Sequence, residues 1–269
     1  MRDWQIRRRS PYGYDPSTDS GLAFWVDATD TTTLTASGGG AITNGATIGS
    51  WASKKGTARS WTQWGSQNRP TWDSAGINGL AAAKYVAASS QILGCVTGLG
   101  DFSAMSGLTV MAAVRRVSAN GLIFTTTMLD ISSGTLHFNQ CQLNMGPTFT
   151  GGGRQARGDS FVTVVAVPAV NTPPIFVECI AFGFGTGHIS LYGNGVENIV
   201  NQAYHTPGTT NAGDPFSLGI GGSAVDSGTA FGFADGWIGE ILGWLTEKSP
   251  DDLVPPHDYM RRRWGAGAM

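Results

Sequence analysis

Charge is scarce in this sequence. Only 13% of its 269 residues are Asp, Glu, Lys or Arg, against roughly 25% in ordinary soluble domains. The 17 basic and 19 acidic residues leave a net charge of −2, so the whole molecule has no electrostatic reason to seek nucleic acid. A surface of Gly, Ser, Thr and Asn suits a β protein that is secreted or packed into an assembly. No run reaches the ~18 apolar residues of a membrane-crossing helix. The longest, FVTVVAVPAV (161–170), has the length of a buried strand, and no membrane insertion is expected. No apolar stretch follows the N-terminal arginines, which argues against a secretory signal. Cysteine is sparse too: Cys95, Cys141 and Cys179 lie far apart with no C-x-x-C spacing. Their odd number argues against a disulfide framework and for buried free thiols, as in a reducing compartment.

Long helical periodicity is nearly absent as well. What is present are short runs of Val, Ile, Phe, Thr and Trp separated by glycine turns. The expected strands are 22–27, 108–117, 122–131, 135–145, 160–169, 175–184, 188–193, 216–222 and 237–245. Asn120-Gly121 and Asn194-Gly195 have the chemistry of tight hairpin turns. Many antiparallel strands without intervening helices predict an all-β sandwich or barrel, with strand 237–245 central. One helical stretch closes the chain, SPDDLVPPHDYMRRRWG (249–265). Ser249 is suited to the N-cap and Pro250 to the first helical position. Asp251 and Asp252 favour the positive end of the dipole. Pro255-Pro256 predicts a break, with a second short helix from about Pro256 to Trp264. Arg261 to Arg263 read as a dipole complement on a solvated face, and Gly265 as a C-cap.

Three blocks together resemble the concanavalin A-like, laminin-G-like jelly-roll family. They are LAFWVDATDTTTLT (22–35) followed by IGSWASKKG (48–56); QNRPTWDSAGINGLAAAKYV (67–86); and FADGWIGEILGWLTEKS…YMRRRWG (233–265). HISLYGNGVE (188–197) is similar to the family's hairpin strand. The resemblance covers about residues 21–265 and implies a jelly-roll sandwich of two antiparallel sheets. Lys84 to Ser90 depart from the pattern, since many relatives carry a Phe-Asp-Gly element there; a ligand or metal position supplied by that element is not implied. Such domains recur in tailed-bacteriophage structural proteins, adhesins, lectins and modules beside glycosidases.

Glycosidases on this scaffold need two carboxylates facing one another across a sugar. The four glutamates, Glu178, Glu197, Glu240 and Glu247, have no acidic neighbour two or three positions along a strand. Glu178 and Glu240 read instead as ordinary strand residues. No G-x-S-x-G, Walker loop or H-E-x-x-H occurs, and the four histidines are dispersed. No catalytic residue, metal or cofactor is expected, and Asp27 and Asp30 read as turn caps rather than calcium ligands. Trp51, Trp61, Trp64 and Trp72 crowd one segment, and SWTQWGSQNRP (60–70) reads as a loop. Trp61 and Trp64 are therefore the candidates for stacking on a carbohydrate, beside a packing role for the same rings.

The opening MRDWQIRRRSPYGYDP differs from all that follows. Arginine and aromatic residues are the types enriched where proteins bury contacts, and Pro11 and Pro16 keep the segment extended. Residues 1–20 are expected to form an anchoring arm, with Trp4, Arg7, Arg8, Arg9, Tyr12 and Tyr14 at a partner interface. Residues 21–265 would form the sandwich and 266–269 a tail. The expectation is a non-enzymatic structural protein of a tailed-phage virion, a capsid decoration or tail component assembled in the host cytoplasm. Its partners would be other virion proteins, further copies of itself and a host-surface glycan. The alternative is a carbohydrate-binding lectin or adhesin module.

Overall fold

Continuous apolar runs, buried along most of their length in strands such as Gly107–Arg116 and Ile175–Gly183, build two sheets whose strand pairs are all antiparallel. The computed structural model describes residues 13–117, 121–127, 129–130, 135–136, 140–145, 149–154, 162–166, 175–194, 196–210, 217–224 and 230–266. Sheet I runs Val196–Ala203, His188–Gly193, Ile175–Gly183, Gly107–Arg116, Gly236–Trp244, Leu80–Tyr85, Thr71–Ile77, with Leu22–Asp27 also pairing Gly236–Trp244. Strand Gly236–Trp244 is central, as the sequence predicts. Sheet II runs Val162–Ala166, Phe149–Arg154, Gln140–Met145, Gly121–Thr127, Ser217–Ile220, Leu93–Cys95, Ser60–Gln63, Ile48–Ala52, Leu34–Ala36.

The two sheets enclose one core. Phe24 from sheet I stacks on Phe124 from sheet II at 5.1 Å between ring centroids, amid Val110, Ala112, Ile180, Leu218 and Ile241. A second cluster lies on the outer face of sheet I, where Trp25, Ala113, Val177 and Trp244 meet Leu253, Met260 and Trp264 of the terminal helix. The two-residue turn at Asn78-Gly79, both at positive φ, joins Ile77 to Leu80. Asn194 is at positive φ and Gly193 pairs with Val196 of the next strand, while Gly195 lies outside the described residues. Asn120 lies outside the described residues. Cys95, Cys141 and Cys179 are buried free thiols.

The helix corrects one expectation. It runs unbroken over Pro250–Trp264, with Ser249 and Asp252 forming a capping box and Gly265 left-handed at the C-cap. Pro255 and Pro256 sit inside it. The carbonyls they leave without a helical donor belong to Asp251 and Asp252, in the exposed first turn. Water can reach that turn, so the missing donors cost little there, while Leu253, Pro256, His257, Met260 and Trp264 hold the other face against the sheet. No described helix is long and apolar enough to cross a membrane.

Candidate functional site

The tryptophans expected to meet a sugar are inside the protein. Residues Ser60–Gln63 are a strand rather than a loop, paired on both sides by Ile48–Ala52 and Leu93–Cys95. Alternation then turns Trp61 into the inter-sheet core, fully buried, with its ring 5.8 Å from Phe24. Trp64 follows the strand and fills the hollow over Gly94, where a Cβ would lie 2.2 Å from its ring. It is 5% exposed and packs with Ile92 and Ala224. Neither indole offers a face to a ligand.

Tyr14 is half-buried against its own sandwich. Its hydroxyl donates to Asp19 Oδ2 at 2.8 Å and its ring meets Tyr259 edge-on at 5.8 Å. Asp19 Oδ2 also accepts from Trp244 Nε1 at 3.0 Å. Residues from Tyr14 onward are thus tied to their own sandwich, because the Asp19 carboxylate gathers the Tyr14 hydroxyl and the Trp244 indole N–H of sheet I. At the other end Ala266 is buried in the same outer cluster. Trp4, Arg7, Arg8, Arg9 and Tyr12 lie outside the described residues.

The two strand glutamates project from opposite faces of sheet I. Glu178 alternates with Phe176, Ile180 and Phe182 on the inter-sheet side and pairs with Ala112 of that core. Glu240 pairs with Ala113 and Asp27 on the outer side. They cannot flank one glycosidic bond. Glu240 is fully buried and accepts from Trp25 Nε1 at 2.7 Å, Trp264 Nε1 at 2.8 Å and the Tyr259 hydroxyl at 3.0 Å. Burial pushes its carboxyl up, and the Arg263 guanidinium pulls it back. Arg263 reaches Glu240 at 3.7 Å and Asp27 at 2.9 Å, so this arginine is an inward clamp for the helix, not part of a solvated face. Asp27 and Asp30 each cap their own turn, through Thr29 and Thr32, and share Lys54. Their oxygens are therefore occupied by N–H, O–H and cation donors.

A different aromatic remains open. Seven of the described tryptophans (25, 51, 61, 64, 72, 244 and 264) are buried. Trp237 is half-buried on the outer face of sheet I. Cross-strand register sets it in the row Thr71, Lys84, Trp237, Arg115, Ile175. Its Nε1 donates to Asp73 Oδ2 at 2.9 Å, which fixes the ring's orientation. Gly76 lets the indole lie close, since a Cβ there would stand 2.4 Å from Trp237 Cδ1. Arg115 Cζ is 4.4 Å and Lys84 Nζ 5.3 Å from the ring centroid. Arg115 Nη1 is itself held by the Gly76 carbonyl at 2.9 Å. The result is a half-buried indole held in place by Asp73 and Gly76, with Arg115 and Lys84 over its ring as cation–π partners.

Sequence reasoning passed over this site. The available signal was placement: in a chain with so few charges, Lys84 and Arg115 stand near the ends of the two strands that flank Trp237.

No family model matches this chain, and no curated protein matches it. Solved structures do. The binding domain of botulinum neurotoxin serotype D matches with a TM-score of 0.59 at 11% identity, over 94% of this chain and 55% of that one. The serotype G binding domain gives 0.59 at 9% identity, over 91% and 54%. The K499G mutant of NanB sialidase from Streptococcus pneumoniae gives 0.51 at 12% identity, over 64% and 27%. The chain thus spans about half, or less, of the length of these proteins. The likeness establishes a jelly-roll β-sandwich.

Proposed function

We propose that this chain is a non-catalytic binding module that presents a glycan-binding surface on its jelly-roll sandwich. Trp237 carries the reading. It is the described tryptophan that is not buried, its ring is oriented by Asp73, and Arg115 and Lys84 stand over it. A sugar's C–H face suits an indole, while its hydroxyls need donors and acceptors at the rim. Two structural neighbours are named binding domains, which supports binding over catalysis, and Glu178 and Glu240 point away from each other. One aromatic platform contributes on the order of 1 kcal/mol beyond its buried area, so affinity per site should be weak, near ~1 mM. On a glycan array, the protein displayed in multiple copies should bind a defined subset of sugars. Trp237→Ala should lose that binding at least about tenfold while keeping the circular dichroism spectrum of the folded protein. Unchanged binding by the variant would refute the placement of the site.

Weak sites work through repetition, since linked copies gain about 10²–10⁴ in avidity. That favours a second element of the proposal, attachment to a larger assembly such as a tailed-phage virion. The anchoring segment is then residues 1–12, shorter than the 1–20 read from sequence, because Tyr14 and Asp19 serve their own domain. A chain missing residues 2–12 should fold with an unchanged melting temperature but fail to incorporate into particles. Normal incorporation would remove the anchor.

A further inference from the structure

The cations beside Trp237 add chemistry that sugar stacking does not require. Among the described residues Lys54, Arg59 and Arg263 each hold a carboxylate within 4 Å. Lys84 and Arg115 are in no ion pair, although Asp73 stands nearby; its Oδ2 is engaged by Trp237 and its Oδ1 by the Ala75 amide at 3.1 Å. Two cations that are in no ion pair therefore stand over the described indole that is not buried, from strands on either side. The protein is charge-poor and slightly acidic overall. An incidental placement of both charges would cost little, but it would not explain why Arg115 is pinned by the Gly76 carbonyl with its remaining donors unassigned. A guanidinium fixed by one nitrogen and an ammonium on a flexible stem form a receptor for an anionic group presented next to an apolar face.

We propose that the Trp237 surface binds an acidic glycan, with a carboxylate or sulfate held by Arg115 and Lys84 and the sugar ring against the part of the indole they leave uncovered. This rests on the glycan-binding reading above and names the ligand class for the same site. Carboxylated and sulfated sugars share the chemistry, and only a direct comparison separates them.

The test uses the full chain against an array of matched glycans in neutral, carboxylated and sulfated forms. Acidic members should bind at least about tenfold more tightly than neutral partners, and Lys84→Ala should cost about fivefold on acidic members alone. Raising ionic strength from about 0.01 M to about 1 M shortens the screening length from ~30 Å to ~3 Å and should remove most of the acidic preference. Preference for one acidic form identifies the group. Equal binding of neutral and acidic members, unchanged in Lys84→Ala, would overturn the acidic assignment and leave the glycan reading standing. Acidic binding that survives Trp237→Ala would be plain charge attraction and would overturn it too. If no member binds, both proposals fall together.

Discussion

Arg263→Ala should destabilise the fold by about 3–5 kcal/mol, the usual loss when one partner of a buried ion pair is removed. The reason lies in what stays behind. Asp27 is 2% exposed and Glu240 fully buried, and both look to Arg263 for a cation. Lys54 remains 3.4 Å from Asp27, but Glu240 keeps only neutral donors from Trp25, Trp264 and Tyr259. With roughly 2–4 °C of melting temperature per kcal/mol for a chain of this size, the midpoint should fall by about 10 °C. Adding Glu240→Gln to Arg263→Ala should recover part of the loss, because the amide no longer needs a counter-charge. A cycle of the two variants measures that coupling. A loss under about 1 kcal/mol would mean that the apolar face of the helix suffices without the clamp.

Glu178→Gln should do the opposite and stabilise the protein, increasingly so at higher pH. Glu178 is 1% exposed in the inter-sheet core, and neither carboxyl oxygen has a hydrogen-bond partner. Burial holds its carboxyl well above the usual range, with Arg116 pulling it down in part. Below its ordinary value of 4.5 both folded and unfolded chains carry the proton, and the residue exacts no pH-dependent cost. Above that value the unfolded chain releases the proton while the folded chain retains it. Stability is then lost at up to ~1.4 kcal/mol per pH unit until the folded value is passed. Stability profiles of wild type and Glu178→Gln, measured by urea unfolding, should diverge from about pH 4.5 upward. The gap should widen with rising pH until the folded value is passed, and Glu178→Leu should gain at least as much by leaving no polar atom unpaired. If Glu178→Gln is the less stable protein near neutral pH, the carboxylate has a role in the core that its surroundings do not explain.

Where sequence sufficed, the physics was local. The N-cap at Ser249, the C-cap at Gly265 and the strand character of WIGEILGW depend on neighbours within a few residues. The misreadings came from partners distant in the chain. A missing proline donor is visible in sequence, but the exposure of the carbonyls it would have paired is not. Ser60–Gln63 gives too few alternations to be read as a strand, so the burial of Trp61 follows only once Ile48–Ala52 and Leu93–Cys95 pair around it. Trp64 needs the hollow above Gly94, some thirty residues on. Trp237 became a candidate only after seven other indoles were seen to be buried and register placed Lys84 and Arg115 beside it. The fold was thus legible and the site was not, because a surface site is defined by what the rest of the chain leaves uncovered.

The central claim is that Trp237 is where ligand binds, and the indole N–H resonances of the ¹⁵N-labelled protein test it most directly. Each tryptophan gives one such signal, and Trp237→Phe identifies the one that matters. On titration with the tightest glycan from the array, the Trp237 signal should shift progressively, while those of Trp51, Trp61 and Trp264 stay in place. A glycan that binds yet leaves the Trp237 resonance unmoved would contradict the account.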